Sequence, residues 1–316
     1  MKTKKLLRFL SLACALLFLV PCLSCTPPTG ADGSGTATTT TTTAASGGGT
    51  PTKPGGEEDM YEGRTKVKVM SYNIRSWRGD EPNDVFHVFT DDEMNQLIAD
   101  IDVMLTREDP DILVICEDRT FFDTHPWETT GGEKEVYDLM LKKYFPYAYY
   151  VEDGPNIPHL YSKYELKNIR HLPVNYPEGT KDRRKPTMAT VTIDERDVEI
   201  IACHSIAGAE YAESNRVAYF NAVVNYAKYK DHVIIAGDMN TDSLDPLAEY
   251  KPFIDAKFKL GNFGEFGEFV TYRFGAVGNK IDNIIVRGFA MKSFYVGEET
   301  YSDHFPVYAE LYLPRK

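Results

Sequence analysis

Val233-Ile234-Ile235-Ala236-Gly237-Asp238-Met239-Asn240 is the stretch on which the fold turns. Four apolar residues in a row predict a strand buried on both faces, the pattern of a sheet covered from both sides. Gly237 then permits backbone angles or a close approach that a side chain would forbid. Asp238 and Asn240 follow, two residues apart, and in an extended segment such positions face the same side. A carboxylate binds a cation or orients water, and an amide NH2 donates to an anion. An ordinary strand ending in a polar turn would read the same way. The distinction comes from similar strand ends along the chain.

Upstream, residues 197–203 read as a strand that ends on His204, and residues 212–230 as a long helix leading into the quoted strand. Residues 66–75 alternate apolar and polar, as a half-buried strand does, and carry Asn73 near their end. Asp91 or Asp92 is placed to cap a helix through Leu105, with Met94, Leu97, Ile98, Ile101 and Leu105 at helical spacing. Asp109-Pro110 ends it, and residues 111–116 form a second apolar strand that closes on Glu117. A helix is expected over 133–144, a Tyr-rich edge over 144–150, and strands over 159–164 and 187–193. Downstream, Asp282 stands near the start of a strand reaching Val286, and Asp303-His304 precedes a last strand at 308–313.

The N-terminus is organised differently. Lys2, Lys4, Lys5 and Arg8 precede an apolar run too short to span a bilayer comfortably, which is the layout of a secretory signal. Leu23-Ser24-Cys25 resembles a bacterial lipobox, in which the cysteine becomes the lipidated first residue, although Cys22 stands where that pattern prefers Leu. The reading is a signal peptide over 1–25, lipidation at Cys25 and a bacterial cell-surface location, with a freely secreted product as the alternative. Residues 26–60 are Thr-, Gly- and Pro-rich with almost nothing to bury, and read as a flexible linker. Residues 61–316 are long enough for one sizeable core.

Without residues 1–24 the chain holds 31 basic against 47 acidic residues, a net charge of -16. Such a surface disfavours nonspecific attraction to nucleic acid or anionic membrane, while leaving room for a local basic cleft. Residues 181–185, Lys-Asp-Arg-Arg-Lys, are the only dense basic cluster outside the leader, equally readable as a solvated loop or an anion site. Of five cysteines, Cys14, Cys22 and Cys25 lie in the leader; Cys116 and Cys203 sit in apolar runs and are expected as buried free thiols.

Asn73, Glu117, His204, Asp238, Asn240, Asp282, Asp303 and His304 all fall at strand boundaries. Carboxylates from several strands make an oxygen-rich site suited to Mg2+ or Mn2+, and a Cys/His set with zinc spacing is missing. Two histidines and two amides add proton-transfer groups and neutral donors. Together these suit attack of water on a phosphate ester.

Six motifs carry a family resemblance: Ser-Tyr-Asn-Ile at 71–74, Pro-Asp-Ile-Leu-Val-Ile-Cys-Glu at 110–117, Cys-His-Ser at 203–205, Gly-Asp-Met-Asn at 237–240, Ile-Asp-Asn-Ile at 281–284 and Ser-Asp-His-Phe-Pro-Val at 302–307. In this order they resemble the endonuclease/exonuclease/phosphatase superfamily, with its deoxyribonuclease-I-like fold. The resemblance covers about residues 65–314. It implies a four-layer α/β/β/α sandwich of two mostly antiparallel sheets flanked by helices, with the site at one sheet edge. It implies Glu117 as the central metal ligand, assisted by Asn73 and Asp303. His304 paired with Asp282 would contact the phosphate or transfer a proton, and Asp238 would orient or deprotonate water. Asn240 would hold a phosphate oxygen, His204 would stabilise the transition state or assist the leaving group, and Arg184 would contact substrate phosphate.

Cys116 and Ser205 depart from the residues common at those positions, and the strand at 158–163 fits its counterpart only at Ser162-Lys163. That segment often helps to choose substrate, so nucleic acid, phospholipid headgroup and small phosphodiester all stay open. The expected protein is a monomeric, Mg2+-dependent phosphoesterase that meets membrane only through its lipid. The alternative from another class is a binding module on a catalytically dead fold. His87, His125, His159, His171 and His232 belong to no motif and are expected at the surface or in packing.

Overall fold

The computed structural model describes residues 58–75, 90–118, 133–151, 156–207, 212–241, 245–274 and 279–315. The expected leader, Cys25, the linker up to residue 57, His87 and His125 lie outside the described residues. Glu58–Tyr61 form a helical turn, α1, so the end of the expected linker is helical, and the Tyr61 ring packs 4.6 Å from that of Tyr312.

The first half runs β1 (Lys66–Asn73), α2 (Asp91–Glu108), β2 (Ile112–Cys116), α3 (Glu133–Val136), β3 (Tyr147–Tyr149) and β4 (His159–Ser162). The second begins with β5 (Lys167–His171), β6 (Thr187–Ile193), β7 (Arg196–His204), α4 (Ala212–Ala227) and β8 (Val233–Asp238). It closes with α5 (Pro246–Asp255), β9 (Lys259–Leu260), β10 (Asp282–Arg287), β11 (Ala290–Val296) and β12 (Val307–Tyr312). The described residues form two six-stranded sheets, in the orders β11-β12-β1-β2-β4-β3 and β5-β6-β7-β8-β10-β9. Among the described residues, all pairings are antiparallel except β1 with β2 and β7 with β8.

Strand periodicity explains why the chain needs four layers. Ile234 and Ala236 pack between the sheets, while Val233 and Ile235 face the opposite way, against α4 and α5 residues such as Phe220 and Phe253. In β2, Ile112 and Val114 point to the shared core, while Leu113 and Ile115 pack against Ile101 and Leu105 of α2. Each apolar run is therefore buried on both faces, as its composition requires.

Two local expectations are corrected. Thr90 caps α2: its hydroxyl accepts from Glu93 N at 3.3 Å, and the Glu93 carboxylate accepts from Thr90 N at 2.8 Å. This reciprocal box satisfies two orphan donors, and Asp91 and Asp92 sit in the first turn, at the positive end of the helix dipole. The helix runs to Glu108 and ends at Asp109, as expected, where Asp109 turns left-handed and returns its N–H to Leu105 O at 2.8 Å. The helix expected over 133–144 is one turn of α3 that widens into a π-turn at Tyr137–Leu141.

Topology fixes where polar residues gather. The parallel registers set Asn73 opposite Cys116 and His204 opposite Asp238, so both parallel pairs end side by side. Antiparallel β10 starts where β8 ends, pairing Asp282 with Asp238. β12 likewise starts beside the end of β1, with Ser71 opposite Val307, which brings the 302–304 turn to the same rim. The site lies at the ends of central strands of both sheets.

Candidate active site

Gly237 is the hinge of the site. Its φ is +145°, and a Cβ there would fall 1.8 Å from the Cys203 carbonyl oxygen. That carbonyl accepts the Cys116 thiol at 3.2 Å and so ties the end of β2 to the end of β7 across the sheets. Both cysteines are buried and unbridged, as expected, and burial pushes the Cys203 thiol up to about 12 and the Cys116 thiol well above its ordinary value. Neither is suited to act as a nucleophile.

Asp238 and Asn240 do meet, but by a turn rather than by strand pleat. Asn240 takes a left-handed φ of 49°, which the extended-strand reading did not foresee. The turn lets Asn240 N donate to Asp238 Oδ1 at 2.8 Å and Asn240 Nδ2 to Asp238 Oδ2 at 3.1 Å. Asn73 Nδ2 donates to the same Oδ2 at 3.0 Å and to Glu117 Oε1 at 3.1 Å, so one amide joins carboxylates from the two sheets. Glu117 reaches this position with a left-handed φ of 58°.

The two histidines sit in opposite electrostatic environments. Burial and the Arg184 charge lower His204 to about 4, against the pull of Glu117, so it is neutral near pH 7. Arg184 Nη1 lies 2.5 Å from His204 Nε2 and donates to Ser205 O at 2.8 Å. Nε2 of His204 is also 3.5 Å from Glu117 Oε1 and 3.8 Å from Asp238 Oδ2. For His304, burial alone would lower the pKa, but Asp282 at 2.8 Å from Nδ1, with Asp238 and Asp303, raises it to about 10. His304 is therefore the imidazolium of the pair.

The carboxylates divide as sharply. Burial would raise Glu117, yet His204 and the Asn73 hydrogen bond hold it down at about 2. Asp238 is raised to about 7 by burial and by the charge of Asp282, against the opposing pull of His304. Burial also raises Asp303, which faces the Arg75 guanidinium at 3.4 Å. Environments that separate like groups in this way are a mark of acid-base sites, and also occur in structural ion-pair networks.

The structure thus brings together every strand-end residue read from the sequence. Arg75, Tyr272 and Ser302 were missed. Arg75 lies two positions beyond Asn73, a spacing that could have flagged it. Tyr272, whose ring is 4.9 Å from that of His304, comes from an irregular segment that bridges to both Asn279 and His304, and no periodicity marks it. The Ser302 hydroxyl donates to Asn73 O at 2.7 Å, fixing the 302–304 turn to β1. Behind Glu117 lies another buried cluster: Asp118 Oδ2 accepts from the Tyr161 hydroxyl at 2.5 Å and lies 3.2 Å from His159 Nδ1. His159, Tyr161 and Asp118 are packing groups that hold the end of β2 against β4.

The donor set fits a hard divalent cation. One ligand atom each from Glu117, His204 and Asp238 lies within 4.8 Å of the others. The mutual repulsion that raises Asp238 is what a bound cation would relieve, and the oxygen-rich surroundings suit Mg2+, Mn2+ or Ca2+ better than a soft ion.

Comparison with known proteins agrees with this geometry. The Endonuclease/Exonuclease/phosphatase family profile matches residues 70–304. No curated protein matches the sequence. Among solved structures, an endonuclease/exonuclease/phosphatase from Beutenbergia cavernae is similar with a TM-score of 0.58 at 16% identity, over 78% of this chain and 72% of that one. D. rerio TDP2 complexed with single-strand DNA product gives a TM-score of 0.55 at 14% identity, over 78% of this chain and 99% of that one. Sphingomyelinase C from Streptomyces griseocarneus gives 0.50 at 14% identity, over 78% and 99%. At these identities the likeness is one of fold, and the fold carries more than one substrate class.

Proposed function

This chain belongs to the Endonuclease/Exonuclease/phosphatase family, metal-dependent hydrolases of phosphate esters, and from that premise we propose that it is a Mg2+-dependent phosphodiesterase tethered outside a bacterial membrane. The observation that carries the reading is the Asp238 carboxylate, held by Asn73 and Asn240 between neutral His204 and charged His304.

Glu117 would hold the cation beside His204 and Asp238, whose ligand atoms cluster with its own, and the family resemblance implies Asn73 and Asp303 as further ligands. When bound, the cation neutralises phosphate charge and assists an oxygen leaving group. The rest falls to the chain's own groups. Asp238, with a pKa of about 7, is matched to accept a proton from water near neutral pH, and its three amide hydrogen bonds fix its direction. His304 has Nδ1 committed to Asp282, leaving Nε2 to donate to a phosphoryl oxygen. The Arg184 guanidinium adds a charged donor, whereas Asn240 Nδ2 donates to Ser205 O at 2.9 Å and to Asp238 Oδ2 at 3.1 Å and would exchange one of these bonds to hold a phosphate oxygen. A diester brings one negative charge to a site where four carboxylates already face Arg75, Arg184 and His304. That balance favours diesters over dianionic monoesters.

The tether rests on the sequence alone: a signal, a lipobox-like Leu23-Ser24-Cys25 and a polar spacer before residue 58. Bis-p-nitrophenyl phosphate, plasmid DNA, RNA, sphingomyelin and inositol phosphates, each with Mg2+ and with EDTA, test the activity. Hydrolysis of at least one diester in Mg2+ and none in EDTA is expected. No hydrolysis of any of them with Mg2+ or Mn2+ overturns the proposal in favour of a binding module.

A further inference from the structure

The basic run at 181–185 lines a cavity of about 660 Å3, together with Asn156 and Ile157. Lys181, Arg183, Arg184 and Lys185 against Asp182 give this wall a net charge of +3. The contrast with the rest of the chain is large, since residues 25–316 carry a net -16. Arg184 joins the cavity to the catalytic rim: it lines the cavity, its Nε is fixed by Asp182 at 2.9 Å, and its Nη1 reaches His204 Nε2 and Ser205 O. Arg183 is likewise oriented, donating from Nε to Thr180 O at 3.1 Å.

A cation cluster on an anionic protein concentrates field lines where low-dielectric walls surround it. A solvated loop would serve solubility anywhere on the surface. These side chains instead flank a cavity that shares an arginine with the reaction site. Resting on the phosphoesterase reading above, we propose that this cavity binds a second phosphate group of the substrate, apart from the one that is cleaved. The substrate is then a compact, multiply charged phosphate ester. A long polyanion is less suited, because the rest of the chain is net acidic and would repel its outlying phosphates. Arg184 spans both parts and couples occupancy of the cavity to the field at His204.

Binding measured in EDTA tests this without relying on turnover. The probes are two pairs of diesters that differ by one phosphate: dithymidylate with and without a 5′-phosphate, and glycerophosphoinositol with and without a 4-phosphate on the inositol ring. Calorimetry at low ionic strength should show the doubly phosphorylated partner of at least one pair binding ten times or more tighter. The triple variant Lys181→Gln, Arg183→Gln, Lys185→Gln should lose that preference, and the pair that shows it tells a nucleotide-type from a polyol-type substrate. Affinities within twofold in both pairs, or a preference that the triple variant keeps, overturn the second-phosphate site. Preference without hydrolysis in Mg2+ would instead count against the phosphoesterase reading and leave the site standing.

Discussion

At the scale of single residues, the site works by giving like groups unlike surroundings. His304 carries the clearest pH consequence. Its folded pKa of about 10 exceeds the ordinary value of 6.5, so its ion pair with Asp282 stabilises the fold fully below about pH 6.5. That contribution is lost as pH rises through 10. Asp282→Asn removes the largest raising influence and leaves burial, which lowers the pKa, less opposed. The alkaline limb of kcat/KM should then move to lower pH by at least one unit. A limb in its wild-type place would mean that the His304 proton is not required. Glu117→Gln removes a carboxylate held ionised at about 2 while leaving the core untouched. It should lower activity by orders of magnitude and weaken Mg2+ binding by calorimetry, with circular dichroism unchanged. Wild-type turnover at limiting Mg2+ would remove Glu117 from the ligand set.

At the scale of elements, the helices and strands are held to the rim by a few buried contacts. Arg216 of α4 and Glu249 of α5 form a bidentate pair at 2.7 and 3.0 Å, both side chains almost fully buried, and Arg216 also reaches Ile206 O beyond His204. Glu249→Ala leaves a buried guanidinium without its carboxylate, which costs about 3–5 kcal/mol. Urea unfolding should show it, and a loss under about 1 kcal/mol would put the pair effectively at the surface. The strands that meet at the rim were legible in sequence because they are apolar on both faces and end on polar residues. β5 was not, because its Lys-Asn-Ile-Arg-His sequence is an exposed edge strand with no buried face to set a period. α5 was hidden by Pro252 inside it, and β11 by alternation too weak to separate from a loop. Within the site, residue identities were legible but distances were not. Arg75 facing Asp303, and Arg184 beside His204, are products of sheet packing that no local pattern encodes.

At the scale of the whole molecule, two β-α-β units from different sheets end at one rim, and the reaction is proposed to occur where they meet. Residues 26–57 precede α1 and supply none of the described site residues, so deleting them should leave hydrolysis in solution within twofold. Detergent partition and the N-terminal mass should show a lipid on Cys25; full recovery in the medium without it would reject the anchor. The most direct test of the central claim is single-turnover hydrolysis of bis-p-nitrophenyl phosphate by Asp238→Asn in saturating Mg2+. The substitution keeps size and hydrogen-bonding capacity while removing charge and basicity. If Asp238 orients or deprotonates water, the chemical step slows by about two to four orders of magnitude, with substrate affinity held or tightened. A single-turnover rate within threefold of wild type would contradict the account and return the base role to His304 or His204.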